Sequence, residues 1–478
     1  MTSLTFLQIN DVHAYLELHE EVFIEHGQET YRQAGGYARI ASLIKEIKKE
    51  VNHDVLLFDN GDTFHGTYPV VTSKGEAIVP ILNELPFLAM TGHWDFAYGP
   101  KQLKHLVSQL DYPFLANNCF KKETNELLFP AHLMIEKSGV KIGVIGIASP
   151  IIDKLMPKHF SEGIYFTNGD EHLSEQISEL KNQNADLIVV LSHLGFPQET
   201  KLAEEVEGID IILSGHTHNR FTEPAIVNDT LIIQSGCHGS HLGKLTIEVS
   251  NGKVKSHQHE LIEIAESIIP DKKVDTLIQN TLKEYRPKLN RVIGETLKPL
   301  NRNAQLETTM DKLLLSAISE AAETPIAFSN GWRYGAPITP GPVTVNDLYN
   351  IIPTNPPVSK VTLTGEEILN MLEENIENTF AKNPYDQKGG YLKRMHGIDL
   401  YIKLENAKGL RIKHLYINKE PIIRDKLYDV AFVTVQGVPA KYGTDRRNLD
   451  VSAIDALINW IEKRGTFTID EPNHVKLI

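Results

Sequence analysis

Short runs of Val, Ile, Leu and Phe recur along the first half of the chain: LTFLQI, VLLFD, PFLAM, KIGVIGIAS, DLIVVLSH, DIILSGH and TLIIQSG. Apolar runs of about four to eight residues closed by Gly, Asn, Asp or Ser read as strands buried on both faces. Between several of them lie stretches with helical spacing, YARIASLIKEIKKEV and GDEHLSEQISELKNQN among them. KLTIEVSNGKVKSHQHELIEI then alternates about an Asn-Gly pair, the pattern of a hairpin. This order predicts a layered α/β domain over residues 1–266.

From Pro270 to Val292 the sequence is polar and helix-prone, with Pro at its start and little apolar surface, which predicts a helical linker over 267–293. The remainder, 294–478, opens on the helix candidate TTMDKLLLSAISEAAE and continues through NGWRYGAPITPGP and IIPTNPP into a mixed α+β pattern. A chain of 478 residues exceeds what one hydrophobic core organises, so two domains fit its length.

Charge narrows the partners. Lys and Arg number 48 against 62 Asp and Glu, a net charge of −14, and no basic block stands out. Nucleic-acid polymers and anionic membrane surfaces are poor partners for such a chain. No apolar run approaches the roughly 20 residues that span a bilayer. The N-terminal MTSLTFLQIND has none of the regions of an export signal, and there are only two cysteines, so the expected location is the cytoplasm.

The chemistry gathers where the strands end. LQINDVH carries Asp11 and His13, LLFDNGD carries Asp59 and Asp62, FLAMTGHWD carries His93 and Asp95, VVLSH ends on His193, and IILSGHTH ends on His216 and His218. In α/β layers the carboxyl ends of strands carry functional loops. In an extended segment residues i and i+2 point the same way, so each Asp-x-His or His-x-His pair is expected to reach one ion. Imidazole with carboxylate suits Mn, Fe, Zn or Co. Seven donors exceed what one ion uses, so two ions sharing Asp62 are expected, the arrangement that hydrolyses anionic esters.

These motifs resemble the calcineurin-type metallophosphoesterase fold, and more narrowly the two-domain 5'-nucleotidase family. The likeness spans Asp11-x-His13, GGYAR, DNGD, LSHLG, SGHTH and QSG. The resemblance implies an α-β-β-α sandwich followed by a smaller α+β substrate domain. It also implies metal ligands at Asp11, His13, Asp62, His193, His216 and His218, and places Asn118 near the pocket. Manganese is the first expectation for the two ions, with zinc, iron or cobalt as alternatives. The implied substrate is a small anion, a nucleotide or another phosphate ester.

One motif departs from the family norm. Where nucleotidases read Gly-Asn-His-Glu-Phe-Asp, this chain has Gly92, His93, Trp94, Asp95, Phe96 and Ala97. His93 is able to replace the Asn as a ligand. Trp94 and Ala97 replace a His–Asp dyad that steadies developing charge, and indole cannot exchange a proton near neutral pH. This stretch is similar to the thiosulfohydrolase branch of the same family, as are SNGWRYG and ENTFAKNPYDQKGGYLKRMHGI.

Asp95 is the remaining candidate for proton transfer. Arg333 is the candidate for gripping the substrate anion, with Trp332 and Tyr391 beside it, and Lys393 and Arg394 add positive charge. Three readings follow: a phosphoesterase, a hydrolase of sulfur–sulfur adducts, and a metal-bearing binding protein that has lost its chemistry.

Overall fold

A computed structural model describes residues 1–478. The chain divides into two compact units, one of Met1–His19 with Gln33–Glu284, the other of Glu20–Arg32 with Tyr285–Ile478. The segment expected as a linker holds a helix, Lys272–Leu282, which packs on the helix Tyr37–Glu50 of the first unit. No helix is long and apolar enough to cross a membrane.

The first unit is built on two sheets. In chain order their strands are β1 (Thr2–Ile9), β2 (Val55–Asp59), β3 (Phe87–Met90), β4 (His132–Lys137), β5 (Val140–Ile147), β6 (Leu187–Ser192), β7 (Ile211–Leu213), β8 (Ala225–Val227), β9 (Thr230–Ile233), β10 (His241–Ser250) and β11 (Lys253–Glu263). One sheet runs β11-β10-β1-β2-β3 and the other β8-β9-β7-β6-β5-β4. β1, β2 and β3 are parallel, as are β5, β6, β7 and β9. The Asn-Gly hairpin forms as the alternation requires, with Ser250 opposite Lys253.

Strand parity sorts the apolar residues into layers. Leu4, Phe6, Leu56 and Phe58 from one sheet meet Val189, Leu191, Ile211, Leu213, Leu231 and Ile233 from the other. The intervening residues Ile188, Val190, Ile212 and Ile232 point the opposite way and pack with Leu173, Ile177, Leu180 and Leu202 of two covering helices. A period of two on strands buried on both faces produces this two-sided core. Each fully buried Leu, Ile or Phe contributes about 1.5 to 3 kcal/mol.

The second unit is α+β. A five-stranded sheet, in the order Tyr391–His396, Ile326–Gly331, Leu427–Phe432, Pro357–Thr364 and Thr444–Ser452, is joined by smaller sheets. The helix Gly365–Phe380 starts at a capping box in which Thr364 and Glu367 satisfy each other's backbone N–H, and it buries Ile368, Met371, Leu372 and Ile376 in the core beneath. The hairpin His19–Glu25/Gln28–Ala34 interrupts the first unit in sequence, yet its Glu20–Arg32 portion groups with the second. Asn301 anchors it by donating to Glu29 Oε2 at 2.9 Å and to the Tyr31 hydroxyl at 2.8 Å.

Candidate metal centre

Seven side chains converge where the parallel strands of the first unit end. Asp11 and His13 follow β1, Asp62 follows β2, His93 follows β3, His193 follows β6, and His216 and His218 follow β7. Donor atoms of Asp11, His13, Asp62 and His218 lie within 4.8 Å of one another, as do those of His93, His193 and His216. Asp62 joins the groups. Its Oδ2 is 3.5 Å from the Nε2 atoms of both His13 and His193, and its Oδ1 is 3.6 Å from His93 Nδ1.

The pairing departs from the extended geometry that the sequence suggests. Asp11, His13, Asp62, His216 and His218 all adopt positive φ, between 49° and 72°. Non-glycine residues enter this region at a cost, and strained backbone of this kind collects at functional sites. The strands stop and the chain turns sharply at these five residues, so i and i+2 no longer share a direction. His216 and His218 accordingly fall into different groups, whereas Asp11 and His13 remain together.

A polar scaffold fixes these turns. The Asp11 N–H donates to Gly61 O at 2.9 Å and that of His13 to Asp62 O at 2.7 Å, binding the first ligand loop to the second. The His216 N–H donates to Asp11 Oδ2 at 2.9 Å. His193 Nδ1 faces Asn60 O at 2.5 Å and His13 Nδ1 faces His65 O at 3.2 Å, the contacts of an Nδ1–H tautomer that turns each Nε2 toward the carboxylates. Asn60 spans the sheets by donating to Ser192 O at 3.1 Å and to Leu213 O while accepting from Gln8.

The charge distribution asks for cations. Asp11 and Asp62 are almost fully buried. Burial alone raises their carboxyls, yet the surrounding imidazoles hold Asp11 low and Asp62 well below the ordinary carboxylate range. Burial pushes His13 down to about 3, while Asp62 and Asp11 override burial and lift His193 to about 10. Neither ring nitrogen of His93 has a hydrogen-bond partner, and His193 Nε2 and His218 Nδ1 also lack one. Buried carboxylates facing unsatisfied imidazole nitrogens suit divalent ions of the Mn, Fe, Zn or Co type.

The other candidates take different places. Asp95 does not stand where a proton donor to substrate would. It is fully buried, and its two oxygens accept four main-chain N–H groups, from Asp62, Thr63, Phe64 and His93, at 2.9 to 3.0 Å. Asn118 is likewise occupied: it donates to Ala148 O and Thr167 O and accepts from the Ala148 N–H, tying strand ends together. Asp59 accepts from the Gly61 N–H and the Thr63 hydroxyl, and burial raises it to about 7. The Trp94 ring stacks on His65 with centroids 4.6 Å apart and meets Phe160 edge-on at 5.7 Å.

Within the second unit, Arg333 Nη2 donates to Gly390 O at 3.3 Å and its guanidinium lies 5.6 Å from the Tyr391 ring. Trp332 is buried with its indole N–H unpartnered, the Arg302 guanidinium 5.6 Å from its ring. Arg394 is structural: its Nε reaches Asp311 Oδ2 at 2.8 Å, and its remaining N–H groups donate to Ala304 O and Gln305 O. Lys393 is buried and donates to Gln436 O and Gly437 O. Neither adds positive charge to an open surface.

Comparison with known proteins agrees with this layout. Residues 4–220 match the family model of the calcineurin-like phosphoesterases, and 292–435 match that of the 5'-nucleotidase C-terminal domain. The chain is 27% identical to the uncharacterized metallophosphoesterase YunD of Bacillus subtilis over 432 residues, 86% of this chain and 91% of that protein. It is 26% identical to the 5'-nucleotidase of Bos taurus, over 89% of this chain and 81% of that one. Two longer relatives from Bacillus subtilis are matched over only 31% and 33% of their own length. The sulfate thiohydrolase SoxB of Thermus thermophilus shares the fold at a TM-score of 0.93 and 23% identity, over 100% of this chain and 97% of that one. With a phosphoesterase domain that gathers imidazoles and carboxylates at its strand ends, followed by the matching C-terminal domain, this chain belongs to the 5'-nucleotidase family of calcineurin-like metallophosphoesterases, a family of hydrolases.

Proposed function

We propose that the protein is a dinuclear-metal-dependent hydrolase of a nucleotide or another small phosphate ester. The observation that carries this reading is Asp62, whose two oxygens face ligand groups on both sides. Two divalent ions held there, manganese before zinc, iron or cobalt, supply positive charge against the ester oxygens that gain charge and acidify water. The chain's own part is to hold the donors in a buried, hydrogen-bonded array whose geometry is fixed before substrate arrives. The identity with 5'-nucleotidases over most of both chains supports a phosphate ester. In the second unit, Arg333 is the proposed anion contact, since its fork matches phosphate oxygens. Cys119 and Cys237, which form no disulfide, fit a reducing, cytoplasmic setting.

One observation favours a second reading. Trp94 and Ala97 stand where nucleotidases carry a protonatable dyad, so a leaving group that needs no protonation, such as the sulfur of a thiosulfonate adduct, suits this site. A single panel separates the readings. Metal-stripped protein is reloaded with manganese and offered nucleotides, other phosphate monoesters and a protein thiosulfonate. Phosphate release supports the first reading and sulfate release alone the second. Two bound ions with no turnover would point to a binding protein, and an absence of stoichiometric metal would sink all three.

A further inference from the structure

We propose that Asp95 is a positioning residue that holds the two halves of the metal centre in register. The inference rests on the dinuclear reading above and concerns how this chain assembles that centre. Asp95 Oδ2 accepts the N–H of Asp62 at 2.9 Å and the N–H of His93 at 3.0 Å. One oxygen thus holds the backbone of Asp62, a member of the first group whose carboxylate also faces His93 and His193, and the backbone of His93, which belongs to the second. Oδ1 takes the N–H groups of Thr63 and Phe64, each at 3.0 Å, so the turn after Asp62 wraps around this single carboxylate. No cation pairs with Asp95 among the ion pairs of the structure. Its ties are four charge-assisted bonds to main chain, roughly twice as strong as neutral ones.

The loop carrying His93 is shaped to admit the carboxylate. A Cβ on Gly92 would lie 2.3 Å from Asp95 Oδ2 and 2.9 Å from its Cγ, so the residue before His93 must lack a side chain for the clamp to close. The Trp94 N–H completes the bracket by donating to Asp62 Oδ1 at 2.6 Å. Two successive residues, Trp94 and Asp95, therefore bind the Asp62 turn, and Asp95 holds the His93 N–H as well. The ligands Asp11, His13 and His218 make no bond to Asp95. Loosening the clamp should displace His93 from Asp62 and spare the group around Asp11.

Asp95→Asn tests this directly. An amide keeps the shape but turns an NH2 toward main-chain donors, so at least one pair of N–H groups loses its acceptor. Stripped protein is titrated with Mn²⁺ alone, binding is followed by equilibrium dialysis, and the spin state is followed by electron paramagnetic resonance. Wild type should bind two ions and give the signal of a coupled pair. D95N should hold one ion with unchanged affinity and the other about 10- to 100-fold more weakly, with an isolated-ion signal replacing the coupled one.

Gly92→Ala, which leaves the charge in place and displaces the carboxylate as its nearest contact, should reproduce this split and carries the test if D95N does not fold. Two ions bound as in wild type, equal loss of both ions, or failure of both stripped variants to fold would each overturn the proposal. A wild type that binds no pair would instead refute the dinuclear reading.

Discussion

The main-chain N–H of Trp94 donates to Asp62 Oδ1 at 2.6 Å, so this residue serves the metal centre through its backbone whatever its side chain. The indole is free to be exchanged without removing that bond. Trp94→His together with Ala97→Asp restores the dyad that nucleotidases carry. Positioned proton transfer is worth about 10²- to 10⁴-fold. The double variant should raise manganese-dependent phosphate release from nucleotides by at least about 10-fold, measured as kcat, with metal stoichiometry unchanged. The lost stacking on His65 and Phe160 should lower stability by about 2 to 4 kcal/mol. A double variant with full metal and no gain would mean that Trp94 does not stand in for a proton donor.

Asp62→Ala removes the carboxylate that faces His13, His193 and His93 together. Both ligand groups lose an oxygen donor, and the Trp94 N–H loses its acceptor. Metal analysis of the reloaded variant should find less than one ion per chain, and turnover should fall by more than about 10³-fold, as expected when electrostatic stabilisation of this kind is lost. A fully loaded and active D62A would refute the shared-ligand arrangement.

Much of this centre is legible in the sequence because its ligands follow strands that period-two burial makes unmistakable. Asp11, Asp62, His193 and His216 each lie within three residues of a strand end. The division of the ligands between groups is not legible. It depends on positive φ at His216 and His218, and neither residue type demands that conformation. The part played by Asp95 is hidden for a similar reason, since an acid beside a ligand reads as chemistry until its four main-chain partners are seen. The hairpin His19–Ala34 has its own signal, a His-Gly pair with φ of 52° and 78° between alternating residues. Its grouping with the second unit rests on Asn301, 272 positions from Glu29, and no local pattern encodes that.

Gly61 tests how tightly the ligand turns are packed. It sits at φ 89°, and a Cβ there would come within 2.5 Å of both Gly92 Cα and Thr91 O, which are backbone atoms held by neighbouring strands. Nothing at that contact is a flexible side chain able to give way. Gly61→Ala should destabilise the metal-free protein by about 2 to 4 kcal/mol, the sum of a left-handed backbone cost and overpacking. Urea denaturation after chelation measures this directly. A loss below 0.5 kcal/mol, taken as an approximate bound for surface-like tolerance, would mean that the two turns are not in fixed contact.

Lys393 gives the pH dependence of the second unit. The side chain is fully enclosed, and burial pushes its amine down from the ordinary 10.5 to about 7, against a weaker upward pull from Glu374. In the unfolded chain the amine stays protonated up to its ordinary value, so between pH 7 and 10.5 the unfolded state binds the extra proton and stability rises with pH. Below pH 7 both states are charged and this contribution is flat. Folding then carries the full cost of enclosing an ammonium, which the carbonyls of Gln436 and Gly437 offset only in part. The unfolding free energy should therefore climb by a few kcal/mol from pH 7 toward pH 10. In Lys393→Met that slope should disappear, and at pH 7 the variant should be at least as stable as wild type, because an apolar chain of similar length replaces a buried charge. Denaturation curves at four or five pH values decide the matter: a wild-type slope that persists in K393M assigns the titration to another group.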